Sequence, residues 1–119
     1  MKPKFFNLAK KIAEKSDHHS HKMACVIVQK NRIVSVGYNQ LKTHAKSLHP
    51  YKYIHAEFHA ILNTPLDELQ GATAYIYRQH KNNQPAMSKP CPSCLRNLKL
   101  VGIKRICYSI DNGFREEEI

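Results

Sequence analysis

Segments with the character of β-strands and of helices alternate along most of this chain. Two apolar, β-branched segments, at 21–29 and 33–39, are separated by a turn of three residues and therefore predict an antiparallel hairpin. Further strands are predicted at 72–78 and 103–110, each after a segment of helical character. This alternation is typical of a layered α/β domain in which helices pack on a central mixed sheet.

Three helices are predicted. The first has apolar residues on one stripe at helical spacing, namely Phe5, Leu8, Ala9, Ile12 and Ala13. The second is expected over 55–63, where Thr64-Pro65 stops it. The third is expected over 91–102, because Pro92 stands near its first turn and Gly102 at its end.

The chain length predicts the number of domains, and the last residues predict one more strand. With 119 residues the chain suits one domain, spanning 1–119. Asp111-Asn112-Gly113 favours a tight hairpin, so the final residues are expected to return as a short fifth strand, antiparallel to the fourth. The long polar segment 40–54 between the hairpin and the second helix is expected to be a loop with a functional role.

The excess of basic over acidic residues indicates which classes of partner the protein attracts. The chain has 19 Lys and Arg residues against 9 Asp and Glu, a formal net charge of +10. Such an excess attracts phosphates, on a nucleotide or along a nucleic acid, although it also serves solubility. The N-terminus lacks the apolar core of a signal peptide, and no apolar segment is long enough to span a bilayer. We therefore expect a cytoplasmic protein without a membrane partner.

Two of the four cysteines have the spacing of metal or redox sites. Cys91 and Cys94 form a C-x-x-C pair, which in a reducing compartment indicates metal or redox chemistry and not a structural disulfide. Their position at a helix start favours thiolates, and two thiolates on one turn can bind one zinc ion. Cys25 and Cys107 lie in predicted strands and are expected to be small core residues.

The hexapeptide HAEFHA, residues 55–60, supplies further candidate ligands. In the zinc-protease helix the glutamate directly follows the first histidine, whereas here Glu57 stands two residues after His55. His55, Cys91 and Cys94 together would make three zinc ligands and leave the fourth place to water, with Glu57 facing that water. His59, one turn later, is expected to support the helix and not to bind the metal.

Taken together, His55-Ala56-Glu57 and Pro90-Cys91-Pro92-Ser93-Cys94 match the H-x-E and P-C-x-x-C signature of zinc deaminases. The chain resembles the cytidine and deoxycytidylate deaminase superfamily, and looks most like its short stand-alone deoxycytidylate members. The resemblance implies a three-layer α/β/α cytidine deaminase-like fold with a mixed five-stranded sheet. It also implies Zn²⁺ as cofactor. The implied reaction is hydrolytic deamination of a cytosine nucleotide or nucleoside, with dCMP as the best single guess for the substrate and Glu57 as the catalytic proton carrier.

Substrate contacts follow from the same resemblance. Asn39, at the end of VGYN, matches an asparagine that contacts the substrate, and Ala56 matches a position whose backbone N–H holds the carbonyl oxygen of the base. Ser88 and Lys89, in SKPC, match a loop whose main chain faces the amino group of the substrate. Relatives commonly assemble, so a homo-oligomer is expected. The deoxycytidylate and tRNA-adenosine branches usually carry a helix between the fourth and fifth strands. With nine residues after Ile110, a hairpin of the cytidine deaminase type is expected here instead, which leaves the exact substrate open.

Two alternatives stay open at this point. One is a deaminase acting on cytosine or adenine in single-stranded DNA or RNA, which the net charge favours. The other is a basic zinc module that binds nucleic acid without catalysis and recruits Cys25 or Cys107 as a ligand. Secondary candidates are a metal-binding cluster of His18, His19 and His21, and phosphate contacts from Arg78 and Lys89.

Overall fold

The structure is a computed structural model. It describes residues 2–16, 22–39, 55–62, 64–80, 82, 84–111 and 113–119. In chain order the helices of this part of the chain are α1 Pro3–Ala13, α2 Ala56–Ile61, α3 Leu66–Leu69 and α4 Pro92–Leu100. The strands are β1 Lys22–Gln29, β2 Arg32–Tyr38, β3 Thr73–Gln79, β4 Pro85–Ala86, β5 Arg105–Ile110 and β6 Gly113–Glu118.

One mixed sheet organises these elements. Its strand order is β2-β1-β3-β5-β6, and the two-residue β4 pairs with β3 outside this path. β1 runs antiparallel to both β2 and β3, whereas β3 and β5 are parallel. β6 returns antiparallel to β5 with Ile110 opposite Gly113, which confirms the predicted final hairpin. The five predicted strands are all present.

Several bounds and two elements differ from the predictions. α2 and α4 are shorter than 55–63 and 91–102, and α4 begins one residue after Cys91, which is its N-cap. α3 and β4 were not predicted, because segments of four and two residues are too short to show a periodicity. Each is set by contacts with neighbouring elements and not by its own pattern.

Helices cover both faces of the sheet, so the three-layer prediction is confirmed. α1 packs on one face through buried Phe5, Phe6 and Ala9, in a cluster with alternate residues of the central strands such as Val26 and Tyr75. α2 and α4 pack on the other face. There the cluster holds their buried residues Ala60 and Leu98 and the intervening strand residues, such as Cys25 and Ile27 of β1, Ile76 of β3 and Ile106 of β5. The central strands are therefore apolar on both faces, since successive side chains point to opposite sides.

Gly37 allows α2 to lie directly on β2. A Cβ atom built at this position would lie 2.4 Å from the backbone nitrogen of Ala60 and 2.5 Å from the carbonyl oxygen of Ala56. The Ser35 hydroxyl, two residues earlier on β2, donates a hydrogen bond to the carbonyl oxygen of Ala60. Strand and helix are thus in backbone contact, and this contact fixes where α2 begins.

Gly37→Ala is therefore expected to destabilise the protein strongly. Its methyl group would meet backbone atoms that cannot rotate away, and overpacking of a core costs about 1–3 kcal/mol or more. Urea denaturation would measure the loss, with Val36→Ala as the control, since the side chain of Val36 is 39% exposed. Equal stability of the two variants would show that the α2–β2 contact is not tight.

Candidate active site

Three side chains from two distant segments meet at one end of the sheet. His55 Nδ1 lies 3.3 Å from Cys94 Sγ and 3.7 Å from Cys91 Sγ. The three potential ligand atoms all lie within 4.8 Å of one another, and no other such group occurs in the part of the chain that the structure describes. The sequence separation of 36 to 39 residues is closed by the fold.

The geometry of this group fits a tetrahedral zinc ion. Zn–S bonds of about 2.3 Å and Zn–N bonds of about 2.0–2.1 Å, at tetrahedral angles, place a nitrogen and a sulfur ligand about 3.6 Å apart. The two observed distances from the histidine nitrogen, 3.3 and 3.7 Å, lie on either side of this separation. One imidazole and two thiols are also a donor set that zinc prefers.

Electrostatics at the group favour a bound cation as well. Burial raises the pKa of the Cys94 thiol, and the nearby Glu57 carboxylate and Cys91 raise it further. Three groups that would each carry a negative charge are therefore crowded together, two of them buried and Cys91 half-buried. A divalent cation relieves this repulsion, since a thiol that coordinates a metal is deprotonated outright.

Both halves of the group stand at helix starts. His55 is the N-cap of α2 and Cys91 the N-cap of α4, while Cys94 lies in the first turn of α4. The first N–H groups of a helix have no partner within the helix and stabilise a nearby thiolate. The C-x-x-C spacing then brings both sulfur atoms to the same end of α4, as the sequence predicted.

The loop that delivers Cys91 is held by two buried serines. The Ser88 hydroxyl donates to the carbonyl oxygen of Ile76 on β3 at 2.9 Å, and the Ser109 hydroxyl on β5 donates to the carbonyl oxygen of Ala86 at 2.7 Å. The backbone N–H of Ser88 also donates to the carbonyl oxygen of Ser109. β3 and β5 pair only as far as Ile76 and Tyr108, and the loop occupies the space beyond.

Glu57 lies beside the His55, Cys91 and Cys94 group without joining it. Its side chain is only 3% exposed, and Cys94 lies within hydrogen-bonding reach of its carboxylate. Burial raises the pKa of Glu57 to about 7. One carboxylate oxygen, Oε1, is buried without a hydrogen-bond partner among the described residues. A buried acceptor of this kind is costly, so its presence indicates a role toward a bound water or substrate.

The other two cysteines separate on the two faces of the sheet. Cys107 packs in the α1 cluster, so the sheet lies between it and the α2–α4 side. Cys25 lies on the α2 face, and burial together with the Glu57 carboxylate raises its pKa, but it is not part of the ligand group. Both are fully buried core residues, as predicted. Among the described residues, neither cysteine supplies the fourth ligand that a closed zinc module needs.

The predicted substrate contacts surround this end of the sheet. Asn39 is buried at the end of β2, where its Oδ1 accepts from the backbone N–H of Met23 at 3.0 Å. Ala56 is the first residue of α2 and is fully buried. The Lys89 ammonium group lies 3.4 Å from Glu117 Oε2 on β6. The side chains of Ser88 and Lys89 thus have protein partners, and a substrate contact through their main chain stays a prediction.

His59 joins α2 to the end of β2. The backbone N–H of Tyr38 donates to its Nδ1 at 3.0 Å, and the two rings meet edge to face at 4.9 Å. Its position outside the ligand group agrees with the supporting role predicted from the sequence. Together with Gly37 it fixes the last residues of β2 against the helix that carries Glu57.

His59→Leu is expected to lower the stability and to leave zinc binding intact. The variant keeps side-chain volume but removes the acceptor of the half-buried Tyr38 N–H, a loss of about 0.5–1.5 kcal/mol. His59→Asn can return an acceptor near the same place and is expected to lose less. Urea midpoints and zinc content measure both effects, and loss of zinc from folded His59→Leu would contradict the supporting role.

Sequence reasoning missed the residues that hold the site in place. Ser109 and Gly37 were not singled out, although a glycine within a strand pattern is a known signal of close backbone approach. The guanidinium of Arg78, a predicted phosphate contact, donates to the carbonyl oxygen of Met87 at 3.4 Å. His18, His19, His21 and the 40–54 loop lie outside the described residues. No helix in the described part of the chain is long and apolar enough to cross a membrane.

Known proteins share both the sequence pattern and the fold. Deoxycytidylate deaminase of Saccharomyces cerevisiae is 27% identical over 130 residues, a match that covers 95% of this chain and 38% of the yeast protein. The dCMP deaminase of cyanophage S-TIM5, solved with dCMP and dUMP, has a TM-score of 0.53 at 20% identity and covers 91% of this chain and 82% of the phage chain. RibD of Acinetobacter baumannii has a TM-score of 0.56 at 22% identity, covering 88% of this chain and 27% of RibD.

These likenesses show the cytidine deaminase-like fold, and the chain spans less than half the length of the yeast protein and of RibD. A family model described as the cytidine and deoxycytidylate deaminase zinc-binding region matches residues 1–110. Its zinc-binding character and the geometry of the His-Cys-Cys group identify Zn²⁺ as the cofactor. The chain belongs to the cytidine and deoxycytidylate deaminase family.

Proposed function

We propose that this protein is a zinc-dependent deaminase of cytosine nucleotides, with dCMP as its substrate. Water adds to C4 of the ring, the bond from C4 to the amino nitrogen breaks, and the products are dUMP and ammonia. His55, Cys91 and Cys94 would hold the zinc, which when bound supplies Lewis-acid activation of water. The matched family and the substrate named for the yeast and phage relatives support this choice.

Glu57 is proposed to carry the protons of the reaction. As a carboxylate it takes a proton from the attacking water and passes it to the ring nitrogen next to C4. It then helps to protonate the amino group as ammonia leaves. Its burial suits this cycle, since desolvation raises the pKa of the carboxyl group above its usual value and makes the carboxylate a stronger base toward water.

The observation that carries this proposal is the buried Oε1 of Glu57 beside three converging metal ligands. A purely structural zinc site would use four protein ligands and would not need an adjacent buried carboxylate. The His-Cys-Cys set with one place left for water is instead the arrangement of a catalytic zinc site. Asn39 and the N–H of Ala56 are proposed to orient the base, and residues 1–119 to act as one domain in a homo-oligomer.

A substrate panel tests the proposal. Zinc-loaded protein is incubated with cytosine, cytidine, dCMP and a cytosine-bearing single-stranded oligonucleotide, and ammonia release is measured for each. We expect the highest kcat/KM with dCMP. Highest activity on the oligonucleotide would support a nucleic-acid deaminase instead. No activity on any of the four, from protein shown to hold one zinc, would contradict a cytosine deaminase.

A further inference from the structure

Positive charge is concentrated on one part of the fold. Residues 2–16 and 22–39, which contain α1 and the β1–β2 hairpin, carry eight Lys and Arg side chains and one carboxylate, Glu14, a net of +7. The described residues from 64 to the C-terminus carry seven basic and six acidic side chains, a net of +1. Most of the formal charge of +10 therefore belongs to α1 and the hairpin beneath it.

Three exposed lysines of this region lie on α1 or directly after it. Lys4 and Lys11 fall within about 20° of one another at 3.6 residues per turn, away from the stripe that packs on the sheet, and Lys15 follows in the turn after the C-cap Glu14. All three are exposed, and no carboxylate of the described residues lies within ion-pair distance of them. We refer to Lys4, Lys11 and Lys15 as the lysine face.

The lysines at the start of α1 do not serve its stability. Lys2 is the N-cap and Lys4 lies in the first turn, which contains no acidic residue, so both oppose the positive end of the helix dipole. Lys11, in the last turn, complements the negative end of the dipole. Helix stability alone would favour Asp or Glu at the start of α1, so another requirement accounts for the lysines there.

The chemistry of the face excludes two classes of partner. A membrane-surface helix inserts its apolar side, but the apolar side of α1 is buried against the sheet. Protein interfaces are rich in aromatic residues and poor in lysine, whereas the aromatic residues of α1, Phe5 and Phe6, are both buried. A surface of lysines without apolar anchors fits closely spaced phosphates, which lysine binds as a point charge.

We propose that the lysine face binds the phosphate backbone of a nucleic acid without reading its sequence. Lys4 and Lys11 are seven residues apart, or about 10 Å along α1, and Lys15 extends this surface past the end of the helix, so the face spans more than one phosphate of a strand. Exposed aromatic side chains for stacking on bases are absent from α1, so affinity comes from the backbone charge.

The direction of α1 leads this surface toward the active site. Its N-terminal end lies at the β1–β2 turn, because Lys2 Nζ donates to Asn31 Oδ1 at 2.6 Å. Near its other end, burial and the charge of the Glu14 carboxylate raise the pKa of the Tyr77 hydroxyl, so the carboxylate and the hydroxyl are neighbours. Tyr77 lies near the end of β3 that leads to the Cys91 loop. A nucleic acid bound along the lysine face would therefore run toward the end of the sheet that holds the metal site, but on the opposite face of the sheet from α2 and α4. The binding proposal does not depend on deamination.

Fluorescence anisotropy with the zinc-loaded full chain tests this proposal. The probes are a labelled 20-nucleotide single strand and the matching duplex, titrated at several salt concentrations. Lys4→Gln, Lys11→Gln and Lys15→Gln are combined in one variant. The control combines Arg96→Gln, Lys99→Gln and Lys104→Gln, which are also exposed and remove the same charge elsewhere. Circular dichroism verifies folding, and activity on dCMP is measured for both variants.

We expect the lysine-face variant to show a weaker dependence of nucleic-acid binding on salt concentration. Each lost phosphate contact lowers the slope of log K against log salt by about 0.7 on a single strand and about 0.9 on a duplex. The lysine-face variant is therefore expected to lose about 2 units of slope on the single strand, and the control almost none. Activity on dCMP should be the same in both, so failure of this proposal would leave the deaminase proposal intact.

Three results would overturn the proposal. The first is absence of binding at 50 mM salt by the parent protein. The second is an equal loss of slope in both variants, which would show an effect of net charge alone. The third is that polyglutamate displaces the probe as effectively per charge as unlabelled nucleic acid does, or that the protein binds anionic vesicles as tightly per charge as it binds nucleic acid.

Discussion

Glu57→Gln is expected to lower kcat for deamination by about 10²–10⁴-fold, the usual contribution of a positioned proton carrier. The amide keeps the size of the side chain but cannot take a proton from water. Because Glu57 lies outside the His55, Cys91 and Cys94 group, zinc content should stay at the level of the parent protein. The measurements are ammonia release under saturating dCMP and zinc content by atomic spectroscopy.

A buried carboxylate complicates any substitution, so stability must be followed as well. Replacing Glu57 by the neutral amide removes a group whose ionisation burial disfavours, and the fold is expected to tolerate the change. A folded, zinc-loaded Glu57→Gln variant with near-parent turnover would refute the role of Glu57. Loss of zinc from this variant would instead make Glu57 part of the ligand set.

Cys94→Ser is expected to abolish tight zinc binding and, with it, deamination. The substitution removes one of three protein ligands and replaces a soft thiolate by a hydroxyl group, a poor zinc ligand. Metal affinity should therefore fall by several orders of magnitude, measured by competition with a chromophoric zinc chelator. Thermal denaturation with and without added zinc would show whether zinc still stabilises the fold.

Cys107→Ser is the matched control for this experiment. Both cysteines are 1% exposed, and both substitutions exchange a buried thiol for a hydroxyl group. Cys107 lies on the α1 face of the sheet, so its variant should bind zinc like the parent protein even if it loses stability. Equal loss of zinc in both variants would mean that Cys94→Ser acts through folding and not through the metal.

Local patterns in the sequence were sufficient to predict most elements of the fold. The apolar stripe of α1, the β-branched segments and the turn residues are short-range signals, and each led to an element close to its observed bounds. Signals of this kind end within a few residues, which is why α3 and β4 were missed. Their geometry depends on the neighbouring strands and helices and not on their own composition.

The sequence predicted which residues form the candidate site, but not which residues hold them in place. The H-x-E and P-C-x-x-C motifs identified His55, Glu57, Cys91 and Cys94, which the fold brings together. Contacts that hold them, such as the Ser88–Ser109 hydrogen bonds and the approach of Ala60 to Gly37, join residues more than 20 positions apart. A single sequence contains no marker of which distant residues meet.

The sequence by itself determined the alternation of strands and helices, the ligand types and the excess of positive charge, because periodicity, spacing and composition are local properties. Only the tertiary structure decided which groups share a space. Strand pairing placed Cys25 and Cys107 on opposite faces of the sheet, buried Glu57 beside the cysteine pair, and left the lysines of α1 exposed. Burial and long-range contact depend on how the layers pack, and this packing gives the local motifs their chemistry.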